Sequence, residues 1–182
     1  FGVQSPWAYR FIRYVVNEHY PYYKYEHLAE QVYGIDKTTR KLCKFYFRLA
    51  NYQQAHTFVD CYPTSSCYKI YVDAGCQKAN YHRITEEISE EELIHLFSNI
   101  GDYSMVRVPL VANYRTVVDK ALDHLPSSSV LIIENIKRDK ETQKYWSELI
   151  SDSRTGVSFD LYYCGVLFLN NDMVKQSYIV NF

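Results

Sequence analysis

The stretch 57-TFVDCYPTSSCY-68 reads as a short buried strand that ends on Asp60, opens into a tight loop and leads into a helix. In open α/β sheets a ligand lies against a loop of this kind, at the carboxyl end of the strand. Such loops are commonly built from glycine. A residue without Cβ lets backbone approach a ligand closely and takes positive φ at little cost. Here the six positions after Asp60 are Cys61, Tyr62, Pro63, Thr64, Ser65 and Ser66, with no glycine among them.

Upstream of this stretch the pattern is helical. Trp7, Tyr9, Phe11, Ile12, Val15 and Val16 predict an amphipathic helix over Ser5 to Asn17, capped by Ser5 with Pro6 in its first turn. An aromatic turn and a second short helix follow in 20-YPYYKYEHLAEQVYG-34, with Gly34 suited to a left-handed end. A third helix is expected from Asp36 to Asn51. Leu42, Phe45, Tyr46 and Leu49 share one side of it, and Lys37, Arg40, Lys41, Lys44 and Arg48 form a basic stripe on another. That stripe reads as a solvated helix face; a surface for RNA, phosphate or an acidic partner is the alternative.

Downstream, strands alternate with helices. Strands are expected at His56 to Asp60, Tyr81 to Thr85, Met105 to Leu110 and 129-SVLIIEN-135. Between them fall helices at 89–101, with a capping-box start at Ser89 and Glu92, and at 114–125; another follows at 139–151. This alternation implies parallel strands with crossover helices. The end of the chain differs. The stretches 157-VSFDLYYCGVLFLN-170 and 177-SYIVNF-182 are strand-like with no helix between them, which predicts antiparallel pairing at one edge of the sheet.

With 182 residues the chain is expected to form a single domain, residues 1–52 a helical cap and 53–182 the α/β core. A net charge of -1 gives no global attraction to nucleic acid or an anionic membrane. No apolar run of about 18 residues is present to span a bilayer. Five cysteines, an odd number without zinc-ligand spacing, point to a reducing, cytoplasmic setting. Tyrosine is abundant at 19 residues, which suits half-buried strands and groove linings.

Three stretches carry a family resemblance. The opening 2-GVQSPWAYRFI-12 is similar to a G-V-H-S-P-F start, 42-LCKFYFRLANYQQAHTFVD-60 to a lead-in helix and first strand, and 130-VLIIENIKRDKETQKYWSELI-150 with 156-GVSFDLYYCGVLFLNND-172 to a fifth strand, a tryptophan-bearing helix and closing strands. On these the chain resembles the class I S-adenosylmethionine-dependent methyltransferases, and within them a bacterial O-methyltransferase-like branch. The resemblance implies a Rossmann-like, doubly wound, mostly parallel sheet with antiparallel C-terminal strands and an N-terminal helical segment. It also implies S-adenosylmethionine as cofactor and, in an active protein, a small-molecule substrate.

Carried over position by position, Asp60 matches the family's first-strand acid, while Tyr62 and Ser66 stand where its loop has two glycines. Glu86 or Glu87 matches the acid that grips the ribose hydroxyls, a solvated loop being the other reading. Glu134 and Asn135 match a pair that, in catechol-type members, helps to hold a divalent cation. The partner carboxylate is missing from 105-MVRVPLVAN-113, so no metal is expected, and Glu134 and Asn135 also read as a strand end that caps the next helix. A second register, with 70-IYVDAGCQ-77 as strand and loop around Gly75, supplies a single glycine. Between Glu87 and Tyr114 there is room for one helix and one strand where the family has about two of each, so one crossover unit is expected to be abbreviated or lost.

Three functions follow for comparison: a working methyltransferase, a methyltransferase-fold interaction module without methyl transfer, and nucleic-acid binding through the Lys37 to Arg48 stripe. Tyr62, Pro63, Ser66, the missing acid and the short middle all fall at the cleft, which favours weakened or lost cofactor binding.

Overall fold

The computed structural model describes residues 5–182, so Gly2 to Gln4 of the opening motif lie outside the described residues. The chain forms two compact units. One is helical and contains the residues up to Ala55, Ser65–Ala79 and Phe182; the other holds the sheet, in His56–Thr64 and Asn80–Asn181.

The helical unit contains α1 (Pro6–Phe11), α2 (Lys24–Gln31), α3 (Lys37–Gln53) and α4 (Cys67–Gly75). The expected first helix begins as predicted, with Ser5 accepting from the Ala8 N–H, but changes at Ile12–Val16 into a π-helical turn. At the end of that turn the Val15 and Val16 carbonyls accept from Arg48 of α3, at 2.6 and 3.0 Å. Arg48 also donates to the Tyr25 hydroxyl at 3.3 Å and is buried. It therefore does not belong to a solvated basic face. Orphan carbonyls at a helix end need donors, and a guanidinium with its fan of N–H groups supplies several at once. Lys41 and Lys44 lie over the rings of Phe182 and Tyr25, leaving Lys37 and Arg40 exposed.

Asp36 caps α3 by accepting from the Thr38 and Thr39 N–H groups, and the helix ends on Gln54 with φ 50. The stretch 70–77 is largely helical, in α4, which removes the second register as a strand and loop. Gly75 serves packing instead. A Cβ there would meet the backbone of Phe47 on α3, 3.1 Å from its Cα.

The sheet unit carries β1 (Thr57–Cys61), β2 (Asn80–Ile84), β3 (Ser104–Pro109), β4 (Val130–Glu134), β5 (Ser158–Asp160), β6 (Cys164–Phe168) and β7 (Ser177–Ile179) in the order β2-β1-β3-β4-β6-β5-β7. The first four strands are mutually parallel and β6 runs antiparallel to both β4 and β5. Helices α5 (Glu90–Asn99), α6 (Tyr114–His124) and α7 (Lys140–Ser151) supply Phe97, Val117, Val118 and Trp146 to a core with Val59, Val106, Val108, Leu131 and Ile133. The Trp146 indole lies where a side chain at Gly165 would be, which fixes glycine in β6. The residues of alternate parity, among them Phe58, Asp60, Met105, Arg107, Ile132 and Glu134, point to the opposite face and are buried too.

Only α5 and β3 separate β2 from α6, as the short middle predicts. In the doubly wound order 3-2-1-4-5 a further strand flanks the second one. Here β2 is the edge. Asn80 donates to His56 and Ile84 accepts from Tyr62, so the alternate residues Tyr81 and Arg83 direct their backbone groups away from β1.

At the C-terminus 157–170 forms two strands joined by a turn at 161–163 and paired antiparallel as expected, but β7 pairs with β5 in parallel rather than antiparallel fashion. The reason is where the connection lies. β6 ends beside Ser158 at the start of β5, and residues 169–176 lead to Ser177 on the other side of Ser158, so β7 begins at the same end and runs with β5.

Arg48→Ala should lower unfolding stability by about 2–4 kcal/mol, because it strips donors from buried carbonyls. Lys37→Ala, on the exposed part of the same helix, should stay within about 0.5 kcal/mol. Urea denaturation of both variants checks this, and equal effects would refute the capping role of Arg48.

Candidate functional site

The carboxyl ends of β1, β3 and β4 are joined by charge. Asp60 and Arg107 are direct cross-strand neighbours, and Glu134 lies two residues beyond Ile132, the partner of Arg107 on β4. All three side chains therefore share one face. Arg107 donates to both oxygens of Glu134 at 2.8 Å, to Asp60 Oδ1 at 2.6 Å and to the Cys61 carbonyl at 3.2 Å. The flat guanidinium fork suits this arrangement, a bidentate grip on one carboxylate with a free edge for another. Asp60 is 0% exposed and Arg107 and Glu134 are each 6% exposed.

The Tyr81 hydroxyl reaches the other oxygen of Asp60 at 3.5 Å. Burial pushes the Asp60 carboxyl above its ordinary range, and Arg107 pulls it back. Burial, with the Asp60 charge behind it, pushes the Tyr81 hydroxyl up to about 12.

The loop after Asp60 keeps a glycine-like conformation without glycine. Tyr62 has φ 51, so the left-handed demand expected at the first glycine position is present and is met by a tyrosine. Its N–H donates to the Ile84 carbonyl, its hydroxyl donates to Asn113, and its ring packs against the core of the sheet unit. Burial, then Cys61 and Glu86, push that hydroxyl up to about 12. Ser66 differs from expectation. With φ -87 it needs no left-handed backbone, and it is the exposed residue ahead of α4 in the helical unit.

Other left-handed non-glycine residues gather at the same end of the sheet: Ala112 after β3, Asn135 after β4 and Tyr162 between β5 and β6, with φ 53, 66 and 71. Each costs on the order of 1–2 kcal/mol. Beside them Lys137 pairs with Asp160 at 3.0 Å and lies over the Tyr162 ring.

Of the positions expected at the cofactor, Asp60 and Glu134 are thus brought together on Arg107. Glu86 sits in an exposed turn after β2, as does Glu87. Glu134 does not cap the following helix; Asp139 does, in a reciprocal pairing with Thr142. Among the described residues no three His, Cys, Asp or Glu side chains converge to hold a metal ion. Burial raises the thiols of Cys61 and Cys164, which makes them poor nucleophiles. Sequence reasoning missed Arg107. Its signal was a lone charge in the otherwise uncharged strand Ser104–Pro109, which a buried strand tolerates only with carboxylate partners.

No protein-family model matches the sequence. No curated protein matches it either. Solved structures share its architecture. MycE, the methyltransferase from the mycinamycin biosynthetic pathway solved with Mg and SAH, superposes with a TM-score of 0.57 at 9% identity over 87% of this chain and 51% of its own. The present chain thus spans about half the length of MycE. The SAH-bound Podospora anserina methyltransferase PaMTH1 superposes with a TM-score of 0.50 at 13% identity, over 92% of this chain and 96% of its own. The fold is the class I S-adenosylmethionine methyltransferase-like α/β fold.

Arg107→Ala leaves two carboxylates buried without their cation and should cost about 3–5 kcal/mol at pH 7. The pH dependence has a definite sign. An acid whose folded pKa is raised contributes its full stability below the unfolded value and loses it as pH climbs through the folded value. Removing the guanidinium raises Asp60 further, so the deficit of the variant should shrink at pH 5. Denaturant unfolding at both pH values measures it, and an equal deficit at the two would count against the buried ion triad.

Proposed function

We propose that this chain is a methyltransferase-fold protein in which the cofactor's place is filled from within, so that S-adenosylmethionine binding is weakened or lost and the domain acts as a non-catalytic interaction module. The supporting observation is the pairing of Asp60 with Arg107 in a site where the acid has no exposed surface. A cofactor in this fold needs an acid with accessible oxygens beside a loop that lets backbone approach. Asp60 spends one oxygen on the guanidinium, Tyr62 puts a side chain at the glycine position, and Pro63 removes an N–H. The residues present do not fit S-adenosylmethionine.

A working O-methyltransferase is the second reading. The left-handed residues at the carboxyl ends favour it, since strain of that kind clusters at functional sites. Methyl transfer depends chiefly on alignment, so the lack of a poised acid or base weighs little. The burial of Arg48 supports leaving the Lys37 to Arg48 stripe to packing rather than to nucleic acid. Five free, buried thiols support a reducing, cytoplasmic compartment. Among the described residues no helix is long and apolar enough to cross a membrane.

Thermal unfolding with S-adenosylmethionine or S-adenosylhomocysteine at about 1 mM separates the readings. A ligand at about 100 times its dissociation constant adds roughly 2.7 kcal/mol, or about 5–10 °C for a domain of this size. The expected result is no shift with either ligand. A shift of that size would overturn the proposal in favour of the enzyme.

A further inference from the structure

A groove of about 810 Å³ runs along α1, the π-helical turn and the residues after it, and none of its lining residues belongs to the sheet. Its walls include Tyr9, Ile12, Arg13, Tyr14, His19 and Tyr20. Clefts of roughly 300–1,000 Å³ take small molecules. The three tyrosines are 48%, 56% and 64% exposed, unusually open for rings of this size set so close in sequence.

Among the described residues the groove carries one formal charge of each sign, Arg13 and Glu18. Glu18, its one carboxylate among the described residues, is half-buried and accepts from the Tyr20 N–H at 2.7 Å. Arg13 is exposed and pre-oriented, donating to the Tyr9 hydroxyl at 2.9 Å and lying 5.7 Å from the Tyr14 ring centroid. No carboxylate pairs with it among the described salt bridges. One wall is the π-helical turn, a form concentrated at functional sites, and the buried Arg48 holds the last carbonyls of that turn in place.

We propose that this groove binds a free mononucleotide, its base stacked on Tyr14 or Tyr20 and its phosphate on Arg13. Every base presents a π-face to an aromatic ring, and a guanidinium held by a hydroxyl and a ring offers its remaining N–H groups to phosphate oxygens. The open tyrosines answer the first need and Arg13, exposed and in no described salt bridge, the second.

Calorimetric titration of the whole chain with AMP in about 50 mM salt tests it, because exposed charge interactions survive at that ionic strength. Saturable binding near 100 µM is expected. Arg13→Gln should weaken it about tenfold and Tyr14→Ala at least about fivefold. Both side chains are exposed, so the thermal midpoint of each variant should match the parent, which separates lost binding from lost folding. Adenosine and inorganic phosphate should each bind more weakly than AMP.

The proposal is overturned if AMP shows no binding at millimolar concentration, if both variants bind it like the parent, or if adenosine binds as tightly as AMP. Binding of a single-stranded octanucleotide without binding of AMP would also overturn it. Because Arg13 and Tyr14 are the probes, this outcome is independent of whether Asp60 admits S-adenosylmethionine.

Discussion

A guanidinium taken out of water must be surrounded by acceptors, and around Arg107 those acceptors come from the strands on both sides of its own. β3 lies between β1 and β4, so one side chain reaches Asp60 across one gap and Glu134 across the other. The carboxyl ends of three strands are thereby tied at a point where α/β sheets otherwise stay open to a ligand. The same bond that stabilises the sheet end engages one oxygen of Asp60. Freeing its carboxylate would expose the arginine to the cost of an unpaired buried charge, several kcal/mol that a ligand would have to return.

Three of the strained residues around that point, Tyr62, Asn135 and Tyr162, are held by neighbours. Tyr62 is fixed by a backbone bond to Ile84, a hydroxyl bond to Asn113 and packing of its ring. Asn135 donates its N–H to the Tyr163 carbonyl and Tyr162 donates its own to Asp160. A left-handed backbone at a tyrosine is tolerated when the surroundings over-determine it. The left-handed turn after β1 is thus held with a tyrosine side chain projecting from it.

Most elements were legible because their signals are local. The Ser89 and Glu92 capping box, the Ser5 and Pro6 start, the alternation of strands and helices and the short middle all appear where the sequence places them. What escaped depends on neighbours remote in the chain. Arg48 looked like one more charge on a basic helix face, yet it lies 33 residues from the carbonyl it caps. Arg107 and Glu134 sit 27 residues apart, and nothing in either stretch alone announces the pair. The parallel pairing of β7 likewise depends on the connection from β6 reaching the start of β5, a property of the sheet and not of 177-SYIVNF-182 itself. Gly75 left a second register open for a related reason: a glycine demanded by a close approach of two helices looks, in sequence, like one demanded by a loop.

The strand left at the margin by the lost crossover unit has a composition that fits its position. An interior strand of a parallel sheet is apolar throughout, as β3 and β4 nearly are, but β2 carries Asn80, His82 and Arg83 in exposed positions. Its outward backbone groups at Tyr81 and Arg83 are a template on which another extended chain could add itself. Polar and charged side chains on such a margin hinder accretion, since any incoming strand must strip water from them first. A sheet shortened in this way closes its own boundary against fibrous growth through the chemistry of three residues.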